Sequence, residues 1–162
     1  MKLHKIMVIC LMLAAVWGLS ACTAALSLPP LPESFSGNAR HTFGEDAFNC
    51  TVAREDSTVT VTVTDTLAEG LLMACDGEEV TFCYDGMQRS AALDSIDVTN
   101  PARLWWEVLA EVYGGTAAPQ QQDGLTVYGG TCAAGAFTLS QNSDGSWNTL
   151  KVPAAGITVI FA

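Results

Sequence analysis

The feature that most constrains the fold is a strict alternation of threonine and valine over residues 58–64. A period of two predicts a β-strand that turns its valines to one face and its threonines to the other. Because only one of these faces is apolar, the strand is typical of an antiparallel sheet with a single buried face. The chain is therefore expected to be mainly β.

Shorter alternating segments surround this strand, and turn residues separate them. They predict strands at residues 35–43, 48–52, 71–75, 80–84, 125–128, 136–139, 147–152 and 157–161. His41 falls on the inward face of the first strand, where a satisfied core histidine is the expected role. Asp76-Gly77-Glu78 predicts a hairpin turn with positive φ at Gly77. Gln120–Gln122 is interpreted as a solvated loop.

One helix is predicted, over residues 101–113. Asn100 is its expected cap, Pro101 suits its first turn, and Gly114 follows its end. Its apolar face is wide enough to lie on a sheet. That face consists of Trp105, Val108, Leu109 and Val112, widened at its edge by Trp106 and Tyr113. The two adjacent tryptophans suit either the wall of a hydrophobic cavity or plain core packing, and the second use is the more common.

The N-terminal residues have the form of a secretory signal. Two lysines precede an apolar run at residues 6–19 that is too short to span a bilayer. The run ends in Leu19-Ser20-Ala21-Cys22, which resembles the lipobox of bacterial lipoproteins. We expect residues 1–21 to be removed and Cys22 to be acylated, which anchors the protein on the extracytoplasmic face of the cell membrane. An ordinary signal peptide that is cut elsewhere is the alternative.

The mature chain is expected to be a tether followed by one domain. Residues 22–33 contain three prolines and no period, so they predict an extended tether, and residues 34–162 predict a single domain. Without the first 21 residues, five basic and 17 acidic side chains remain, a formal charge of −12. Nucleic acid and anionic lipid head groups are disfavoured partners. Membrane attachment must therefore come from the acyl chains on Cys22.

Four further cysteines leave their redox state open. Cys50, Cys75, Cys83 and Cys132 are an even number outside the cytoplasm, which is compatible with disulfides, while four free and mostly buried thiols are the alternative. A direct bond between Cys75 and Cys83 is geometrically poor, because the turn at Gly77 pairs Cys75 with a residue near Glu79. Zinc is disfavoured, since no C-x-x-C spacing is present.

Catalytic motifs are missing from the sequence. The mature chain has one histidine and contains no G-x-S-x-G elbow, P-loop or H-E-x-x-H motif. Asp76, Glu78 and Glu79 cluster at a turn but lack the spacing of a calcium loop, so they are interpreted as a solvated acidic turn. We therefore expect no enzyme activity, no cofactor and no metal site.

The order of elements adds a resemblance. It consists of the N-terminal strands, the valine strand, a Glu69-Gly70-Leu71 loop, a Tyr84-Asp85-Gly86-Met87 turn, one helix, and Phe137-Thr138-Leu139-Ser140 leading through Asp144-Gly145 into the last strands. It resembles the LolA/LolB-like lipoprotein-carrier superfamily, in particular small lipoproteins of spore-forming Firmicutes of the germination type. The resemblance implies an α+β, mainly β fold, in which a strongly curved antiparallel half-barrel carries one main helix on its concave face.

Two functions follow as hypotheses. The first is a non-catalytic anchored lipoprotein whose concave sheet binds a hydrophobic ligand or a lipidated envelope partner. Its candidate ligand-binding residues are Trp105, Trp106, Val108, Leu109 and Val112. The second is a structural or regulatory adaptor in an envelope or spore-germination complex, with an interior filled by its own side chains. A contiguous apolar cavity would favour the first hypothesis, and a filled core with an exposed apolar patch or a paired strand edge would favour the second.

Overall fold

A computed structural model describes residues 28–162 and contains eleven strands and one α-helix. The strands are β1 (Phe35–Phe43), β2 (Asp46–Glu55), β3 (Thr58–Val63), β4 (Leu72–Cys75), β5 (Glu79–Tyr84), β6 (Met87–Ala92), β7 (Pro119–Gln122), β8 (Leu125–Cys132), β9 (Gly135–Gln141), β10 (Trp147–Val152) and β11 (Ile157–Phe161). The helix α1 (Pro101–Tyr113) joins β6 to β7. Short 3₁₀ turns occur at Leu93–Ser95 and Pro153–Ala155.

All eleven strands form one antiparallel sheet in the order β6-β5-β4-β3-β2-β1-β11-β10-β9-β8-β7. Each half is a meander, and the first strand joins the last, with His41 opposite Val159. The sheet is not closed. In the described part of the chain, β6 and β7 are its two edges.

The alternation read from the sequence matches the observed faces. Val59, Val61 and Val63 of β3 are buried, while the threonines between them are half-buried on the other face. His41 of β1 also points inward and is 2% exposed. The sheet therefore has one apolar inner face, as the period of two predicts.

The sheet curves strongly around α1. The helix contacts β3 and β4 on one side and β8 on the other, although six strands separate β4 from β8 in the sheet. A flat sheet of this width could not bring both strands to one helix. The predicted fold class, a curved antiparallel sheet with one main helix on its concave face, is confirmed.

The two ends of the strands differ in what they carry. One end, here called the distal end, holds the connections after β1, β3 and β5, at residues 44–45, 64–71 and 85–86. The opposite end, here called the tether end, is where the chain enters β1 at Phe35. β1 is nine residues long, so it separates the two ends by about 30 Å.

One sequence expectation needs correction. Gln120–Gln122, predicted as a loop, belongs to β7, although every residue of that strand is exposed. Neither β7 nor β6 was predicted, because both are short edge strands without an apolar alternation. Pairing with β8 stabilises β7, and Gln121 Nε2 of β7 donates a hydrogen bond to Thr126 Oγ1 of β8 at 2.8 Å.

Candidate functional site

Four of the five candidate ligand-binding residues lie in the core. Trp105 and Val108 are 0% exposed, Leu109 is 2% exposed and Val112 is 3% exposed. The Trp105 ring meets Phe161 of β11 edge to face, with 5.5 Å between the ring centroids. In this conformation these side chains fill the space between α1 and the sheet, so a ligand would reach them only if α1 moved.

Trp106, the fifth candidate, lies at the edge of the helix. Its indole Nε1 donates a hydrogen bond to the Ser57 carbonyl oxygen at 3.1 Å, and its ring lies directly over Gly77. A cavity of about 130 Å³ separates this side of α1 from β2 and β3. The lining residues are Arg54, Ser57, Val59, Trp106, Leu109, Ala110 and Tyr113. Ligand pockets usually measure about 300–1,000 Å³, so this cavity is too small for an acyl chain.

Polar side chains of α1 bind the helix to the backbone at both sides of the sheet. Arg103 pairs with Glu107 at 2.8 Å, and its Nη1 donates to the Leu93 carbonyl oxygen beyond β6 at 2.9 Å. Glu107 Oε2 accepts a hydrogen bond from the Ala133 amide between β8 and β9 at 2.7 Å. Asn100 Oδ1 accepts from two amides of the first helical turn, as the predicted cap should. These contacts hold α1 against both halves of the curved sheet.

The start of the described chain is docked at the tether end. Arg54 Nη1 donates to the Glu33 carbonyl oxygen at 2.6 Å, and the Tyr113 hydroxyl donates to the Pro32 carbonyl oxygen. The Arg54 guanidinium also lies 3.9 Å from the centroid of the Tyr113 ring, which is cation–π geometry. Part of the predicted tether is therefore bound to the domain.

His41 has no hydrogen-bond partner for either ring nitrogen within the described residues. Its ring stacks on Phe48 with 4.9 Å between centroids. Burial lowers the pKa of His41 to about 4, because a charged imidazolium is poorly solvated there. Sequence reasoning placed this histidine correctly inside, but it is unsatisfied rather than hydrogen-bonded.

Cys50, Cys75, Cys83 and Cys132 are free thiols in the structure. Strand register keeps Cys75 opposite Val80 and places Cys83 opposite Leu72, so the two are not neighbours across β4 and β5. Burial raises the pKa of the Cys50 thiol to about 11, and nearby Asp65 adds to that effect. Burial also raises the pKa values of the thiols of Cys75 and Cys132. Such thiols are poor nucleophiles at neutral pH.

The acidic turn at Asp76 stabilises its own backbone. Asp76 Oδ1 accepts hydrogen bonds from the amides of Glu78 at 2.9 Å and Glu79 at 3.0 Å. These bonds lower the pKa of the Asp76 carboxyl group. Across residues 28–162, no three His, Cys, Asp or Glu side chains are grouped closely enough to hold a metal ion.

An exposed apolar surface lies at the distal end and was not identified from the sequence. It consists of Leu67, Phe82, Tyr84 and Met87, here called the rim patch. Leu67 is fully exposed, Met87 is 67% exposed and Tyr84 is 42% exposed. The Tyr84 hydroxyl donates to the Leu67 carbonyl oxygen at 3.3 Å, which links the loop after β3 to β5. Leu67 and Met87 lie outside the predicted apolar strands, so only the three-dimensional arrangement joins them to Phe82 and Tyr84.

The predicted anchor lies outside the described residues. Cys22 and the signal at residues 1–21 precede residue 28, where the description of the structure begins. Between residues 28 and 162, none of the helices combines the length and apolar character needed to cross a bilayer.

Comparisons with known proteins give weak likenesses. No protein-family model matches the chain, and no curated protein sequence matches it significantly. An uncharacterized conserved protein from Thermus thermophilus is 9% identical, with a TM-score of 0.47 over 92% of this chain and 85% of that one. A LolA superfamily protein from Nitrosomonas europaea is 12% identical, with a TM-score of 0.36 over 74% of this chain and 64% of that one. With both TM-scores below 0.5, neither likeness has weight for function.

Proposed function

We propose that this protein is a non-catalytic adaptor, anchored through acylated Cys22 on the extracytoplasmic face of the membrane, that binds a protein partner. One observation carries the proposal: the part of the concave face beneath α1 is filled by the chain's own side chains. The apolar face of α1 is buried to 3% exposure or less, and it lies on inward residues from both halves of the sheet. A protein built this way offers its outer surface, rather than its interior, for binding.

The helix is fixed too firmly to act as a loose cover. Its cap, its ion pair and its bond to the Ala133 amide hold it along its length. Opening the interior would break these bonds and expose Trp105 to water. A carrier needs a site that fills and empties, and this arrangement supports no such cycle.

Binding of a hydrophobic ligand is the second candidate. The cavity beside Trp106 and Leu109 is mainly apolar, and it includes two of the residues expected from the sequence. Its volume of about 130 Å³ suits a small apolar group, comparable to an engineered cavity that binds benzene. A whole acyl chain would require α1 to shift away from β3.

The location follows from the N-terminal sequence and the charge. With five basic and 17 acidic side chains after residue 21, the mature chain is repelled by anionic lipid head groups. Attachment therefore requires the acyl chains that a lipobox cysteine receives. The finer resemblance, to small lipoproteins of spore-forming Firmicutes, adds an envelope or germination complex as the setting.

Metabolic labelling tests the anchor. The full chain is produced in a bacterium supplied with an alkyne-tagged fatty acid, together with the variants Cys22→Ala and Cys10→Ala. We expect label on the parent and on Cys10→Ala, which is the matched control within the signal, and none on Cys22→Ala. Equal labelling of both variants would refute the anchor.

Native mass spectrometry with organic extraction tests the filled interior. The domain is released from the anchor by proteolysis of residues before Pro32 and is analysed without detergent. We expect an empty protein that takes up neither fatty acids nor lipopeptides. A lipid that copurifies in stoichiometric amount would overturn the adaptor proposal in favour of the second candidate.

A further inference from the structure

The rim patch lies at the distal end of the concave face, where the side chains of β5 are no longer buried. Along β5, Val80 is fully buried, Phe82 is half-buried and Tyr84 is 42% exposed. Met87 stands opposite Tyr84 on the edge strand β6, so the two side chains share the concave face. Together with Gln88 and Arg89 they line an open groove of about 480 Å³. An apolar surface of this kind on an otherwise acidic protein indicates an interaction site.

The groove lining includes the basic side chain Arg89, and acidic side chains lie in the distal connections beside the groove. Asp65 and Glu69 lie in the same loop as Leu67, and Asp85 lies in the turn between Tyr84 and Met87. The three distal connections, residues 44–45, 64–71 and 85–86, hold four acidic side chains and no basic side chain. The potential at the rim patch is therefore negative, and complementary binding calls for a positively charged partner.

The rim patch lies at the end of the domain opposite the tether. The chain enters the domain at the tether end, where Pro32 and Glu33 are held by α1 and β2. Ten residues from Cys22 to Pro32 reach at most about 36 Å, which is the largest distance of the tether end from the anchor. The length of β1 places the distal end about 30 Å from the tether end.

These observations disfavour two occupants. A membrane surface is disfavoured, because anionic head groups would repel the acidic turns. A second copy of the chain would bring two acidic rims together, which is unfavourable for pairing. An apolar groove with an acidic border fits a protein segment that is both apolar and basic.

We propose that the rim patch, with Glu69 and Asp85 beside it, binds a segment of a partner protein in which apolar residues stand among an excess of lysine and arginine. This inference rests on the adaptor function, for which it names the surface and the chemistry of the partner. Apolar contacts with Met87 and Leu67 supply affinity, and the acidic border supplies selectivity and faster association.

Site-specific photo-crosslinking of the full chain in its bacterial host tests the proposal. A photoreactive phenylalanine analogue replaces Leu67 or Met87 in the rim patch, and Ile160 or Gln120 as exposed controls elsewhere. We expect protein adducts at the first two positions and few at the controls. Mass spectrometry of the adducts should map them to a segment with apolar residues and a net positive charge.

A pair of charge variants tests the acidic border. Glu69→Gln combined with Asp85→Asn removes two charges beside the rim patch, and asparagine tolerates the positive φ of 48° at position 85. We expect the adduct yield at Met87 to fall about tenfold. Glu55→Gln combined with Glu78→Gln removes two charges at the tether end and should leave the yield unchanged.

Each other outcome overturns a defined part of the reasoning. Adducts to lipid, to a second copy or to an acidic segment would overturn the proposed partner chemistry, as would equal yields from both charge variants. Protein adducts at Ile160 or Gln120 alone would overturn the rim patch as the surface and leave the adaptor function standing. No protein adduct at any of the four positions would overturn the adaptor function itself.

Discussion

The unpartnered histidine in the core makes stability depend on pH. The pKa of His41 is lowered from 6.5 to about 4 in the folded protein by burial, and it stays near 6.5 in the unfolded chain. The unfolded chain therefore binds a proton between pH 6.5 and 4 that the folded protein excludes. Stability from this group is fully present above pH 6.5 and is lost as pH falls through that window.

The size of the effect follows from the two pKa values. At pH 4.5 the unfolded chain is almost fully protonated at His41 and the folded protein is mostly neutral there. The free energy of unfolding at pH 4.5 should be lower by about 2.5 kcal/mol than at pH 7.5 from this residue alone. That is a large part of the stability of an ordinary domain.

The variant His41→Phe isolates this contribution. Phenylalanine retains the stack on Phe48 and cannot be protonated, while any cost of fitting the new ring does not depend on pH. Urea unfolding followed by tryptophan fluorescence gives the free energy of both proteins at pH 7.5 and 4.5. Between pH 7.5 and 4.5, we expect the unfolding free energy of the variant to fall by about 2.5 kcal/mol less than that of the parent. The carboxylates are the same in both proteins, so their pH dependence cancels in this comparison. An equal loss in both proteins would refute the reasoning.

Two further predictions follow from close packing and from burial. Gly77→Ala places a Cβ 2.2 Å from the Trp106 ring at a φ of 100°, whereas Gly70→Ala meets nothing within 4 Å at a φ of 89°. Urea unfolding should therefore show a loss larger by at least about 1 kcal/mol at Gly77; equal losses would contradict the packing of Trp106. Cys50 and Cys75 should stay unreactive toward a thiol reagent until urea unfolds the domain, and rapid labelling of both in the native protein, or a lack of free thiols after unfolding, would contradict their buried, reduced state.

Elements with a strong period were predictable from the sequence. The valines of β3 and the capped helix at residues 101–113 lie where the pattern placed them, because each element buries one side against a single core. The distal loop with Gly70 and the turn at Gly77, which has a φ of 100°, also match. Local sequence is enough to predict such features, because they depend on interactions between neighbouring residues or on the burial of one side of the element.

Edge strands and the filling of the interior were not predictable. β6 and β7 have few apolar residues, and their strand conformation comes from pairing with β5 and β8. Whether Trp105 lines a cavity or fills it depends on Phe161, which arrives 56 positions later through the pairing of β1 with β11. The rim patch likewise joins Leu67 to Met87 across a loop and a hairpin. Such long-range arrangements are not encoded in any one window of sequence.

The energy needed to open the interior decides between the two functions. Moving α1 away from the sheet would expose Trp105, Val108, Leu109 and Val112, at a cost of about 2 kcal/mol for each side chain, or about 8 kcal/mol in all. An acyl chain that comes from a membrane is already in an apolar environment, so its transfer into the protein returns little of this cost. A ligand would have to supply the difference through new polar contacts, yet the polar groups of α1 are already paired with the Leu93 and Ala133 backbone. The filled space beneath α1 therefore favours binding at the outer surface, where the rim patch requires no such opening.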